Sequence, residues 1–229
     1  MPKIVKFPKN QKKFNLRNLY YQTYIGENLV NLNLDCIIKI SLADTIKVIA
    51  REYLDILKQW WHSDRVKQFW DNSPEMEEDV DNYVVNGQKT FYDYYIGLYN
   101  GVPYALVMTS EQKEDDYYEY YKNYLSKTGK TYAVDFMIGN EDFVGKHLSS
   151  LTLRTFVEEY SDEEADTFII DPEFENELAF KCYKGAGFEV VDTFITDDGY
   201  FEGKPHYLMI RGREKQKNTD EKPFTSTER

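Results

Sequence analysis

The alternation of hydrophobic and polar positions changes period several times along this chain, and each change predicts an element. Cys36-Ile37-Ile38-Lys39-Ile40 is a short β-branched run and reads as a first strand. Leu42, Ile46, Ile49, Tyr53 and Leu57 then recur at helical spacing, which predicts a helix capped by Ser41. A tryptophan-bearing segment follows and runs as a short helical stretch to Phe69-Trp70, and Asp71 to Asp81 reads as an acidic loop. Two apolar runs, Tyr94 to Tyr99 and Val102 to Val107, flank Asn100-Gly101. That pair predicts a hairpin, because both turn residues need positive φ. Pro103 removes one ladder donor, so its nitrogen must face away from a partner strand. Residues 112 to 130 are acidic and tyrosine-rich, and read as a loop or a helix.

The second half alternates strands and helices. A strand is predicted over Tyr132 to Ile138, a helix from Gly145 to Tyr160, and a buried strand over Thr167 to Ile170. A helix over Glu175 to Lys184 is closed by Gly185 or Gly187. Two last strands, Phe188 to Phe194 and His206 to Arg211, are joined through Asp197-Asp198-Gly199. This order predicts an α/β (α+β mixed sheet) domain over residues 34–211, behind a polar N-terminal extension at 1–33. Residues 212–229 carry no apolar periodicity and are expected to be disordered.

Composition narrows the function classes. The 229 residues suffice to bury a core in one domain of ordinary size, and a 41% hydrophobic, 30% charged makeup is globular. No apolar run approaches the roughly 20 residues that span a bilayer, and the basic N-terminus lacks a signal peptide's apolar stretch. The expectation is a cytoplasmic protein with no membrane partner, a monomer or homodimer, with Cys36 and Cys182 as reduced thiols. A net charge of -12 argues against nucleic acid as a partner and suits a cationic small molecule, although it also describes an ordinary solvated surface. Three histidines and two cysteines at unhelpful spacings predict no metal site. Phosphate-loop, nucleophile-elbow and dinucleotide fingerprints are absent.

The informative block runs from 132 to 188: a strand carrying Asp135, the loop Val144-Gly145-Lys146-His147-Leu148-Ser149, then Asp171-Pro172, Asn176, Ala179, and Tyr183-Lys184-Gly185-Ala186-Gly187-Phe188. It resembles the acetyl-CoA core of the GNAT superfamily of N-acetyltransferases. More narrowly it is similar to the branch that holds aminoglycoside 6'-N-acetyltransferases and siderophore hydroxylysine acyltransferases. That branch carries an Asp on a strand, a G-K-G-L-G loop ten residues on, and a D-P-x-x-x-N-x-x-A-x-x-x-Y-x-K-x-G-F block; here Asp135 precedes Gly145 by ten residues. Trp61-His62-Ser63-Asp64-Arg65-Val66 through Trp70 resembles the branch's acceptor-side segment, and the Asn100-Gly101 hairpin resembles its central hairpin. The similarity covers about residues 34 to 211.

The resemblance implies a GNAT fold and transfer of acetyl from acetyl-CoA to an amino group. It implies Asp135 as base or ammonium-binding group and Tyr183 as the acid near the departing sulfur. Ile138, Val144, Gly145, Lys146, His147, Leu148, Ser149, Asn176 and Lys184 would hold the cofactor. Trp61, Asp64, Trp70 and Asp171 would hold a cationic acceptor. Physical chemistry supports the cradle, because a helix start offers free N–H groups and a positive dipole end to a pyrophosphate.

Each residue also has a plainer use. Asp135 is equally a solvent-facing strand-end carboxylate, Tyr183 a core tyrosine, Asp171 a helix N-cap, Asn176 a local cap, and both tryptophans core. The loop departs from the pattern at His147 and Ser149, where the branch has glycines and where Cβ atoms hinder close approach. Three functions follow: 6'-N-acetylation of an aminoglycoside-type cation, acylation of an N-hydroxylysine or polyamine, or a GNAT-fold binding protein without turnover. The altered loop favours the third, and thiol release from acetyl-CoA with a panel of amines separates it from the first two.

Overall fold

The computed structural model describes residues 45–113, 119–197 and 199–213, and the backbone of two short paired strands, β1 (Tyr24–Ile25) and β2 (Asn28–Leu29). The expected strand at Cys36 to Ile40, the rest of the N-terminal extension, and the tail from residue 214 lie outside the described residues. Gly212 and Arg213, expected in the tail, belong to the fold. Gly212 ends a strand, and the Arg213 guanidinium donates to the carbonyls of Glu158, Tyr160 and Asp162.

Seven strands form the main sheet among the described residues: β3 (Thr45–Val48), β4 (Asp93–Tyr99), β5 (Val102–Gln112), β6 (Lys130–Ile138), β7 (Ala165–Ile170), β8 (Glu189–Ile195) and β9 (Pro205–Gly212). Their order is β3-β4-β5-β6-β7-β9-β8, and the β6–β7 pair is parallel while the other pairs are antiparallel. A parallel pair needs a crossover, and helix α3 (Ser149–Glu159) supplies it. The hairpin turn is as expected, with φ of 50° at Asn100 and 80° at Gly101.

Two predicted elements are corrected. The helix expected from Ser41 begins only at α1 (Leu54–Trp61), after a short 3-10 turn at Arg51–Tyr53, and Thr45–Val48 is a strand. Three of its four residues are β-branched, and β4 offers it a ladder from Val48↔Tyr95 to Thr45↔Leu98. The helical spacing misled because Ile49 and Leu57 are buried in one cluster although only Leu57 is helical. The acidic loop is mostly helix α2 (Pro74–Val84). Its start was legible: Ser73 caps it by accepting from the Met76 N–H at 3.3 Å, Pro74 opens it, and Glu75 and Glu77 face its positive end. The tyrosine-rich stretch contains a short 3-10 helix, Glu119–Tyr124.

Alternation along the strands divides the core between the two faces of the sheet. Val134 and Phe136 of β6 pack with Leu153, Phe156 and Val157 of α3 and with Tyr183 of α4 (Glu177–Gly185). Met137 of β6 packs with Leu57, Trp60 and Trp61 of α1, Val80 of α2 and Tyr94 of β4. A third, smaller cluster joins Tyr121, Ile169 and Leu208, with Ala133 against it, on the same side as α1 and α2. Each fully buried apolar side chain contributes about 1.5–3 kcal/mol.

Candidate active site

The parallel strands β6 and β7 pair only as far as Ala133↔Ile169. Beyond that point β6 continues along β5 to Ile138 while β7 stops at Ile170, so the sheet splits. The Gly139 N–H donates to the Tyr104 carbonyl at 2.9 Å, toward β5. Peptide groups alternate along a strand, so those of Phe136 and Ile138 turn to the opposite edge, into the split. The Ile138 and Gly139 carbonyls accept from Arg65 at 2.6 and 3.0 Å, which ties the segment after α1 to the end of β6. Gly139 is required there, since a Cβ would lie 2.0 Å from the Trp60 ring.

Asp135 and Asp171 stand on either side of this split. Asp135 shares its face of β6 with Met137, and Asp171 follows Ile170 where β7 ends. Burial pushes the Asp135 carboxyl up to about 6. Burial, and then the charge of Asp135, push Asp171 up to about 8, against a hydrogen bond from the Tyr121 side chain. The two carboxyls are therefore electrostatic neighbours in a poorly hydrated crevice. Tyr183, 7% exposed, feels both charges, and burial keeps its phenol protonated. Its hydroxyl makes no hydrogen bond to a described residue. Three residues far apart in sequence thus come together. Asp171 is not a helix cap; Asn176 caps α4, accepting from the Ala179 N–H at 3.1 Å. Cys182 is a poor nucleophile, because burial pushes its thiol up to about 11.

The expected acceptor residues separate. Trp61 is fully buried in the α1 core, so it does not line an open crevice. Trp70 is half-buried against the same core, and the indole nitrogens of both tryptophans are buried without a partner among the described residues. Asp64 is 95% exposed and paired with Lys67, because its turn points it away from the sheet. Sequence reasoning missed Tyr94, whose hydroxyl donates to Asp79 at 2.7 Å and which senses Asp135. It also missed Tyr121, although the tyrosine-rich stretch was a signal. Above the split, the Tyr200 hydroxyl donates to Asn72 at 2.7 Å, joining the β8–β9 loop to the start of the α2 region.

The other side of the split fits a pyrophosphate. Helix α3 starts at Ser149, later than expected, because Gly145 and His147 have φ of 75° and 57° and turn the chain first. Leu148 provides no side-chain cap, and the N–H groups of Ser149, Ser150 and Leu151 find no backbone acceptor among the described residues. A Cβ on Gly145 would meet nothing within 4 Å, so the turn is open on that side. Val144, Lys146 and His147 are exposed while Leu148 is buried, so the imidazole does not fill the core behind the turn. The left-handed His147 costs about 1–2 kcal/mol relative to glycine. α3 and α4 pack closely where a Cβ on Gly185 would sit 2.8 Å from the Ser150 Oγ. Lys184 is exposed on α4.

A mixed sheet with one splayed parallel pair, and an uncapped helix start beside the splay, is an N-acyltransferase architecture. The sequence profile described as acetyltransferase (GNAT) domain matches residues 50–196, and the chain belongs to that family of acyltransferases. Over 179 residues it is 26% identical to the aminoglycoside N(6')-acetyltransferases type 1 of Klebsiella pneumoniae and Serratia marcescens, across 74% of this chain and 83% of theirs. The structure of AAC(6')-Ib in complex with paromomycin and acetyl-CoA matches with a TM-score of 0.60 at 25% identity, over 75% of this chain and 94% of that one. The aminoglycoside N(6')-acetyltransferase of Legionella pneumophila shares the fold, with a TM-score of 0.62 at 23% identity over 74% of this chain and 92% of that one. Among the described residues no helix is long and apolar enough to cross a membrane.

Proposed function

We propose that this chain transfers the acetyl group of acetyl-CoA to an amino group of a polycationic acceptor, in the manner of aminoglycoside 6'-N-acetylation. The observation that carries this reading is the pair of carboxyls, Asp135 and Asp171, raised by burial on the acceptor side of the split. An ammonium group is the natural occupant of such a crevice, since its charge offsets the cost of two buried acids. α2 adds Glu75, Glu77, Glu78, Asp79 and Asp81 without one basic residue, a field that draws polycations inward.

Bound acetyl-CoA would supply the activated acetyl group, held by the N–H groups at the start of α3 and by the edge of β6 left open at Phe136 and at the Ile138 N–H. Asp135 is ionised at neutral pH and takes a proton from the acceptor's ammonium, freeing the amine lone pair. Positioned proton transfers of this kind are worth roughly 10²–10⁴-fold. A bound ammonium lowers the raised Asp171 carboxyl, which then ionises and holds the acceptor's charge, and the Tyr183 hydroxyl, without a partner among the described residues, is a donor that senses both acids. The experiment is a thiol-release screen with acetyl-CoA against kanamycin, ribostamycin, spermidine and N-hydroxylysine. Turnover with an aminoglycoside supports the reading, and turnover confined to N-hydroxylysine transfers it to siderophore-type acylation. No turnover with any amine, alongside a thermal shift from acetyl-CoA, transfers it to a binding role.

A further inference from the structure

Asp171 lies where β7 has ended, so its position depends on what grips the chain after the strand. The segment that follows is laced to the start of β9 by backbone bonds. The Phe174 N–H donates to the Pro205 carbonyl at 2.9 Å, the Tyr207 N–H donates to the Pro172 carbonyl at 3.0 Å, and Glu173 bridges to His206. His206 adds a side-chain contact that these bonds do not need. Its Nδ1 lies 2.7 Å from the Asp171 carbonyl oxygen and 3.8 Å from Asp171 Oδ2.

Both neighbours of Nδ1 are acceptors, so Nδ1 carries the hydrogen and Nε2 keeps a lone pair. The ring is only 6% exposed, and Nε2 is buried without a partner among the described residues. Phe194 stacks on the ring at 5.4 Å with planes 19° apart, and Phe201 meets it edge-on at 5.9 Å. An apolar ring of the same shape would fill this aromatic box with no unpaired nitrogen. What such a ring lacks is the bond to Asp171.

We propose that His206 is a positioning residue that fixes Asp171 for the acceptor by donating from Nδ1 to its main-chain carbonyl. This rests on the acceptor-binding role of Asp171. His206 stays neutral, because burial lowers its pKa. The other titratable and charged groups around the pair are Asp135 from β6, Tyr121 from the 3-10 helix, Tyr183 from α4, and the Glu173–Lys204 ion pair at 3.3 Å beside the imidazole. With the N–H removed, Asp171 loses a donor near its carboxyl, and its titration moves upward.

The test compares the full chain with His206→Phe and His206→Asn, whose amide can reach the Nδ1 position. Three readouts are taken: melting temperature, the Asp171 carboxyl titration by carbon NMR, and kinetics with acetyl-CoA and kanamycin. His206→Phe is expected to melt at or above the parent, because the unpaired nitrogen is gone. Its Asp171 titration moves up, and its kcat/KM for kanamycin falls at least about tenfold with the acetyl-CoA KM unchanged. His206→Asn restores the titration and most of the rate. The proposal is overturned if His206→Phe keeps the parent titration and rate, or if its lost rate follows a lost melting temperature that His206→Asn does not repair. If the parent acetylates no aminoglycoside, the acceptor reading fails by itself, and the Asp171 titration still decides for or against His206.

Discussion

On the sheet face covered by α3 and α4, most buried polar side chains other than Tyr183 find partners: Tyr104 bonds Thr152 at 2.8 Å, Ser150 donates to the Cys182 carbonyl at 2.9 Å, and Arg154 donates to the Gly185 carbonyl at 2.7 Å. On the face covered by α1, α2 and the 3-10 helix, polar atoms are left over. Among the described residues five buried side-chain atoms lack a partner, and four of them lie there: the indole nitrogens of Trp61 and Trp70, Asp81 Oδ1 and His206 Nε2. The two raised carboxyls face the same side. Unpaired buried groups cost stability wherever they occur, so their concentration on one face marks where binding, and not packing, decides the residues. In the proposed function the first face serves the cofactor and the second the acceptor.

The comparison breaks most visibly at Asp135. Asp135→Asn is expected to lower turnover by about 10²-fold or more while the thermal shift produced by acetyl-CoA survives, since the carboxyl serves the amine and not the cofactor. Next in size is Gly139→Ala, which drives a methyl into Trp60 where the acceptor-side helix meets β6. Chemical denaturation should register a loss of about 1–3 kcal/mol. Asp171→Asn sharpens the contrast between faces. The folded pKa of Asp171, about 8, lies above the unfolded carboxyl value of about 4, so the fold loses stability as pH rises through that window. The variant should match the parent at pH 4 and melt higher above pH 8, by about 2–4 °C for each kcal/mol of the burial cost that is removed, and it should bind kanamycin less well. The smallest effect belongs to the cofactor side. His147→Gly relieves about 1 kcal/mol of left-handed strain and should tighten acetyl-CoA binding by no more than about fivefold, read by titration calorimetry.

The same division governs what the sequence disclosed. The cofactor side is local in sequence: a strand, a turn and a helix start are contiguous, so their order and the Gly145 turn were legible, whereas the role of Asp135 came from the family resemblance and the helix start at Ser149 was set four residues too early. The hairpin was legible because Asn100-Gly101 encodes its own φ angles. On the acceptor side the contacts are long-range. Nothing near Arg65 announces that it will hold carbonyls at Ile138 and Gly139, and nothing near His206 announces Asp171. Trp61 and Asp64 were expected at the acceptor because their segment resembles the family's acceptor-side segment. The turn after α1 instead sends Trp61 into the core and Asp64 into water. The helix expected through Ile46 failed for a related reason, since pairing with β4 overrode a spacing that fitted both periods.

The central claim is that a buried carboxyl on the acceptor side, and not proximity alone, drives the transfer. It is tested most directly by kcat/KM for kanamycin at saturating acetyl-CoA, measured from pH 5 to pH 9 in the parent chain and in Asp135→Asn. This ratio reports the ionisation of the acceptor-free enzyme. The account predicts a limb that rises with pH around 6 in the parent, where burial sets the Asp135 carboxyl, and the disappearance of that limb in Asp135→Asn together with most of the rate. Parent and variant profiles that coincide in height and shape would contradict it, and would leave a protein that merely holds two reactants together.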